Sequence, residues 1–228
     1  MKFIENIQAV AALQPDYLGF IFYEKSKRNF EGIVPELPNQ IKKVGVFVNE
    51  HLEIVTSLVE EYQLDAVQLH GDESVEYIQL LKENLLQAEL VLASHKNVSK
   101  KNRGKNKKNL NQVQVIKVFG IKDEFNFDVL KPYLEVVDYF LFDTKGKERG
   151  GNGISFNWNV LKDYPFAKPY FLSGGIGLEN SDALLSFLQN KEFKYCIALD
   201  VNSKFEDVPG LKSVEKLKEF NKRRNLYK

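Results

Sequence analysis

Lys43-Val44-Gly45-Val46-Phe47-Val48, then an amphipathic run from Glu50 to Tyr62, then Ala66-Val67-Gln68-Leu69, is the stretch that decides the fold. Its middle carries Leu52, Ile54, Val55, Leu58 and Val59 at helical spacing between two short β-rich runs. A strand, a crossover helix and a second strand make parallel neighbours. The same unit recurs along the chain. Tyr17 to Phe22, Lys43 to Val48, Ala66 to Leu69, Val113 to Phe119, Tyr139 to Asp143, Tyr170 to Ser173 and Tyr195 to Val201 read as seven strands, and Ser74 to Leu86 repeats the helical period. So regular an alternation predicts a (β/α)8 barrel more than an open doubly wound sheet. Met1 to Leu13, with Ile4, Ile7, Ala9, Val10 and Leu13 apolar, reads as a helix that follows a strand. Strand 1 of the barrel is therefore expected to be absent from this chain, with seven strands present.

At 228 residues the chain can bury one core, so a single domain over 1–228 is expected. One segment interrupts the pattern. From about 94 to 111 it carries Lys100, Lys101, Arg103, Lys105, Lys107 and Lys108 among asparagines, with few apolar residues to pack. It reads as a solvated insertion, because a single-strand-binding tail would interleave aromatic rings for base stacking. Leu211 to Arg224 reads as a closing amphipathic helix with Val214, Leu217 and Phe220 on one side.

Thirty-two Lys and Arg against 31 Asp and Glu leave no global field favouring nucleic acid or an anionic membrane. A small-molecule substrate is the expected partner. The single cysteine, Cys196, excludes an intramolecular disulfide framework and a multi-cysteine zinc site. The start lacks a basic, long-apolar leader pattern, and no run reaches the roughly 18 apolar residues of a membrane span. Cytoplasm is the expected compartment.

In a barrel of this kind the chemistry sits at the C-terminal ends of the strands, and phosphate binds where the last two strands meet their loops. One of those strands ends in Ser173-Gly174-Gly175-Ile176-Gly177 before a helix that starts near Glu179-Asn180. The other ends in Leu199-Asp200-Val201-Asn202-Ser203. A lone Gly-Gly is an ordinary turn signal, but two adjacent strand ends with small residues and spare amides predict an anion site. Tyr139-Phe140-Leu141-Phe142-Asp143 runs apolar and stops on a carboxylate, and by period-two alternation Asp143 shares a face with Tyr139 and Leu141. If that face points inward, burial would raise the pKa of Asp143 toward that of a general acid; the alternative is an Asp in an ordinary turn. Gln68 and His70 share a face of their strand and suit a polar pocket floor, with no catalytic role assigned to His70. Arg28, in the charged loop Glu24-Lys25-Ser26-Lys27-Arg28, is placed to clamp a carboxylate by two bonds.

These pieces, in this order, resemble the phosphoribosylanthranilate isomerase family of tryptophan biosynthesis. The resemblance rests on Leu18-Gly19-Phe20-Ile21-Phe22 with Lys25-Ser26-Lys27-Arg28, Val44-Gly45-Val46-Phe47-Val48, Val67-Gln68-Leu69-His70-Gly71-Asp72-Glu73 and Ile116-Lys117-Val118-Phe119. It continues through Phe142-Asp143-Thr144, Gly150-Gly151-Asn152-Gly153, Leu172-Ser173-Gly174-Gly175-Ile176 and Leu199-Asp200-Val201-Asn202-Ser203, and so spans nearly the whole chain. It implies an Amadori rearrangement of N-(5'-phosphoribosyl)anthranilate to 1-(2-carboxyphenylamino)-1-deoxyribulose 5-phosphate, with no cofactor and no metal. The implied roles are general acid for Asp143, anthranilate carboxylate clamp for Arg28, and phosphate loops for Gly174-Gly175 and for Asp200, Asn202 and Ser203.

The family carries its general base as a cysteine on the first strand, in a Lys-x-Cys-Gly-Met type motif. Here Met1-Lys2-Phe3, running into Glu5-Asn6, resembles the end of that motif. Cys196 lies four residues before Asp200, about 13 Å below the mouth at ~3.3 Å per residue, and reads as a packed core thiol. Two expectations follow: weak isomerase activity for residues 1–228, and a barrel open between its second and last strands with exposed edges. The competing readings are a phosphate-ligand-binding barrel without turnover and another sugar-phosphate isomerase or epimerase.

Overall fold

The computed structural model describes residues 1–96, 110–144 and 157–227. The alternation seen in the sequence becomes one parallel sheet whose spatial order follows the chain. Its strands are β1 (Tyr17–Ile21), β2 (Lys42–Phe47), β3 (Ala66–Leu69), β4 (Gln114–Ile121), β5 (Tyr139–Thr144), β6 (Tyr170–Leu172) and β7 (Cys196–Leu199). Every adjacent pair is parallel. Helices α1 (Ile4–Ala11), α2 (Leu52–Tyr62), α3 (Val75–Lys96), α4 (Ser181–Phe187) and α5 (Val214–Asn225) complete the α/β barrel architecture.

Period-two alternation sorts the strand residues into two apolar layers. Val44, Ala66, Ile116, Val118, Leu141 and Phe171 form an inner cluster, flanked by Tyr17, Tyr139 and Ala198. Phe20, Phe47, Val67, Leu69, Val115, Phe140 and Phe142 belong to a separate, larger cluster that includes Val55 and Val59 of α2 and Ile78 and Leu81 of α3. The sheet curls round the first cluster, and the helices cover the second.

Three features differ from the sequence expectations. Helix α3 runs on to Lys96, ten residues past Leu86, because Gln87 to Lys96 contains strong helix formers although it lacks a clear apolar stripe. The expected insertion over 94–111 thus begins within that helix, and residues 97–109 lie outside the described part, as do Gly150 to Gly153. The segments after β4 and β5 form 3-10 turns, Phe127–Tyr133 and Trp158–Asp163, rather than α-helices. Pro132 lies inside the first of them and has no amide to donate. Before α5 the chain makes a hairpin, β8 (Glu206–Val208) antiparallel to β9 (Leu211–Lys212), around Pro209-Gly210, with Gly210 at φ +87°.

Among the described residues β1 and β7 are not paired with each other, and both edges line one cavity of about 880 Å³. Ile197 of β7 is 49% exposed there, and a methyl group built on Gly19 of β1 would meet nothing within 4 Å. Met1 lies against this edge, its amine donating to the Gly19 carbonyl at 3.0 Å.

One buried ion pair ties the loop after β3 to β4. Lys117 Nζ reaches Glu73 Oε2 at 3.0 Å with side chains only 4% and 1% exposed, and also donates to the Gly71 carbonyl at 2.8 Å. Glu73 in turn accepts from the amides of Asn49 and Gly71. Removing one partner strands a buried charge, so Glu73→Ala is expected to cost about 3–5 kcal/mol in urea unfolding. A loss under 1 kcal/mol would mean the pair is solvated.

Candidate active site

The inner layer becomes polar at the C-terminal ends of the strands. Gln68 follows Ala66 by two residues and His70 follows Gln68 by two; Asp143, Ser173 and Asp200 follow Leu141, Phe171 and Ala198 in the same way. Period two therefore turns all five toward the barrel axis. The ladder continues past the strand ends to hold them, through amide bonds of 2.8 Å from His70 to Phe47, from Ser173 to Phe142 and from Asp200 to Leu172.

Asp143 is 8% exposed, and its Oδ1 accepts the Thr144 amide at 2.8 Å. Its Oδ2 lies 3.5 Å from His70 Nε2, longer than a good hydrogen bond but an ion-pair contact once His70 is protonated. Burial, and next the Asp143 carboxylate, push the Asp200 carboxyl above its ordinary range, while Lys212, His70 and the Ser173 hydroxyl oppose the shift. Two carboxyl groups thus share one mouth.

A carboxyl with a raised native pKa binds protons more tightly folded than unfolded, so it lowers stability as pH climbs above the unfolded value. Asp200→Asn is accordingly expected to raise Tm at pH 7, by about 2–4 °C per kcal/mol relieved, with the gain shrinking as pH falls toward 4. Thermal scans at the two pH values check this; an equal gain at both would refute it.

The loop after β6 needs its glycines. Gly174 and Gly175 have φ of +93° and +61°, and a Cβ on Gly174 would lie 2.3 Å from Thr144 Oγ1 and 3.1 Å from Asp143 Oδ1. The bare backbone can therefore approach a ligand beside Asp143. Asn180 locks the loop, accepting from the Gly177 amide and donating to the Gly175 carbonyl. In the neighbouring loop, Asn202 Oδ1 accepts from Lys212 Nζ at 2.5 Å and Ser203 opens a 3-10 turn.

Arg28 reaches the same cavity from the loop after β1, but its guanidinium is held. Nε and Nη2 both donate to Glu206 Oε2, at 2.9 and 2.7 Å, and Nε also reaches Oε1 at 3.1 Å. Glu206 and Lys212 were not singled out in the sequence, where Leu211 onward reads as helix; the Pro209-Gly210 turn was the available signal for a hairpin. Cys196 also lines the cavity, with its thiol pushed by burial up to about 12. That value holds it as a neutral thiol at pH 7.

A parallel α/β barrel with acid groups on its inner face and glycine-bearing loops at the ends of its last two strands is the class of a barrel enzyme acting on a small anionic substrate. Comparison narrows the class. The family model for N-(5'-phosphoribosyl)anthranilate (PRA) isomerase matches residues 1–109 and 95–223. N-(5'-phosphoribosyl)anthranilate isomerase of Parabacteroides distasonis is 38% identical over 226 residues, covering 96% of this chain and 88% of the relative. The crystal structure of the Thermotoga maritima phosphoribosyl anthranilate isomerase superposes with a TM-score of 0.71 at 29% identity, covering 99% of this chain and 95% of that one. Another solved isomerase, in complex with reduced 1-(o-carboxyphenylamino)-1-deoxyribulose 5-phosphate, is 28% identical with a TM-score of 0.67, covering 98% and 96%. The chain belongs to the phosphoribosylanthranilate isomerase family.

Proposed function

We propose that this chain, as one domain over 1–228, binds N-(5'-phosphoribosyl)anthranilate at the mouth built by Asp143, Asp200 and the two loops. The reaction is its rearrangement to 1-(2-carboxyphenylamino)-1-deoxyribulose 5-phosphate in tryptophan biosynthesis. The observation that carries the reading is the setting of Asp143 beside Gly174, with Arg28 lining the same cavity. A substrate with a phosphate at one end and a carboxylate at the other needs two anion-binding poles with an acid between them.

In this assignment the backbone of Gly174-Gly175 and the Asp200 to Ser203 loop hold the phosphate, and Arg28 takes the anthranilate carboxylate. Asp143 gives its proton to the ribose ring oxygen, so the C1–O bond breaks and the nitrogen lone pair forms an iminium. Loss of the C2 proton to a base then gives the enolamine, which tautomerises to the ketone. Gln68 and His70 line the pocket floor, with His70 set against Asp143. The composition supports cytoplasm as the compartment.

Cys196 is not placed to supply that base. Cys196, the one cysteine, is a neutral thiol on β7 whose Sγ lies 3.7 Å from the Ala198 carbonyl. This favours, for the 228-residue polypeptide, ligand binding with little turnover. Loss of phosphoribosylanthranilate fluorescence, measured beside calorimetric binding of the reduced product analogue, tests both halves. Binding without wild-type-like turnover fits the reading; no binding would sink it.

A further inference from the structure

The β8–β9 hairpin lies outside the barrel sheet, yet two of its charged side chains, Glu206 and Lys212, turn inward. Glu206 is 4% and Lys212 10% exposed in their mutual 2.9 Å contact. Glu206 takes Arg28 on one side and Lys212 on the other, and its Oε1 also accepts the Gly210 amide at 3.1 Å. Burial alone would push Glu206 up, but the two cations outweigh it and hold the carboxyl below its ordinary range. Lys212 is fixed from behind as well, because the Asn6 side chain of α1 bonds both its amide and its carbonyl, at 2.8 and 2.7 Å.

Two details give this cluster a direction. Glu206 occupies the Nε–Nη2 edge of Arg28 and so leaves the Nη1–Nη2 edge of the planar fork for a second carboxylate. And two cations share one carboxylate in a wall where both Arg28 and Lys212 line the cavity. Asp200 acts on Lys212 too, but its carboxyl holds its proton more tightly than usual. Burial lowers the pKa of the Lys212 ammonium, and an anion arriving through the cavity would oppose that shift. Lys212 extends the same network to Asn202 in the phosphate loop, so one chain of contacts joins the two anion-binding poles.

We infer that Glu206 is a positioning residue: it orients Arg28 so that the outer guanidinium edge meets the substrate carboxylate, and through Lys212 it sets that edge in register with the Asn202 loop. The inference rests on the reading of Arg28 as the carboxylate clamp. Its test measures the affinity of the 228-residue chain for reduced 1-(2-carboxyphenylamino)-1-deoxyribulose 5-phosphate, which has both anions, and for inorganic phosphate, which has one. Glu206→Gln is expected to weaken the two-anion ligand about tenfold or more and phosphate less than about twofold. In an Arg28→Ala background the same substitution should add less than about twofold, because its effect passes through Arg28.

If Arg28→Ala weakens the analogue and Glu206→Gln does not, the positioning role falls while the clamp stands. If Arg28→Ala itself has no effect, both fall. Equal losses for the two ligands in Glu206→Gln would make Glu206 a wall residue and overturn the inference. Arg28→Lys offers a check that leaves the buried carboxylate paired. A lysine has no second edge, so analogue affinity should fall nearly as far as in Arg28→Ala; near-normal affinity would overturn the two-edge geometry.

Discussion

Joining an extended segment that carries a cysteine in front of Met1 is expected to raise phosphoribosylanthranilate turnover by about 10²–10⁴-fold over the 228-residue polypeptide. The place for such a segment is visible. β1 and β7 present edges to one cavity, Gly19 has open space where a Cβ would stand, and Ile197 is half exposed on the far side. A strand laid there can pair with both edges and bring a thiol level with Asp143 and Asp200. A thiol at the mouth, with a free pKa of about 8.5, supplies a base that the half-buried Cys196 does not. Covering the two edges should also reduce self-association. The control is the same segment with serine in place of cysteine. It should recover compactness and thermal stability but little turnover, and equal turnover from both segments would remove the thiol from the account.

Asp143→Asn in the cysteine-bearing protein is the second large effect. The acid has to protonate the ring oxygen as the C1–O bond opens, and an amide keeps the shape and the Thr144 contact but has no proton to give. A drop in kcat of about 10²–10⁴-fold with a KM within severalfold of the parent is expected, since the substitution removes an interaction made in the transition state. A large rise in KM with kcat preserved would make Asp143 a binding residue.

Much of this was legible in the sequence because a parallel barrel repeats one simple pattern. Leu141 before Asp143 and Ala66 before Gln68 announce inner-face positions by period two alone, and the inner cluster confirms the parity. Ser173-Gly174-Gly175 marks its loop because only glycine tolerates φ of +93° beside Thr144. What stayed hidden depends on contacts between residues far apart in the chain. Arg28 and Glu206 are 178 positions apart, and Asn6 and Lys212 are 206 apart. No local periodicity links them. The hairpin that brings them together carries only a Pro-Gly turn as its signal, and β8 and β9 are three and two residues long. The raised carboxyl of Asp200 arises likewise from its surroundings in space, first its burial and next the Asp143 carboxylate, rather than from its own strand.

The most direct test is a crystal structure of this chain soaked with reduced 1-(2-carboxyphenylamino)-1-deoxyribulose 5-phosphate. The account predicts the phosphate on the backbone of Gly174-Gly175 and the Asn202-Ser203 turn, the carboxylate on the outer edge of Arg28, and Asp143 within hydrogen-bond reach of the sugar oxygens. A ligand bound with its carboxylate away from Arg28, or a mouth left empty at saturating ligand, would contradict it.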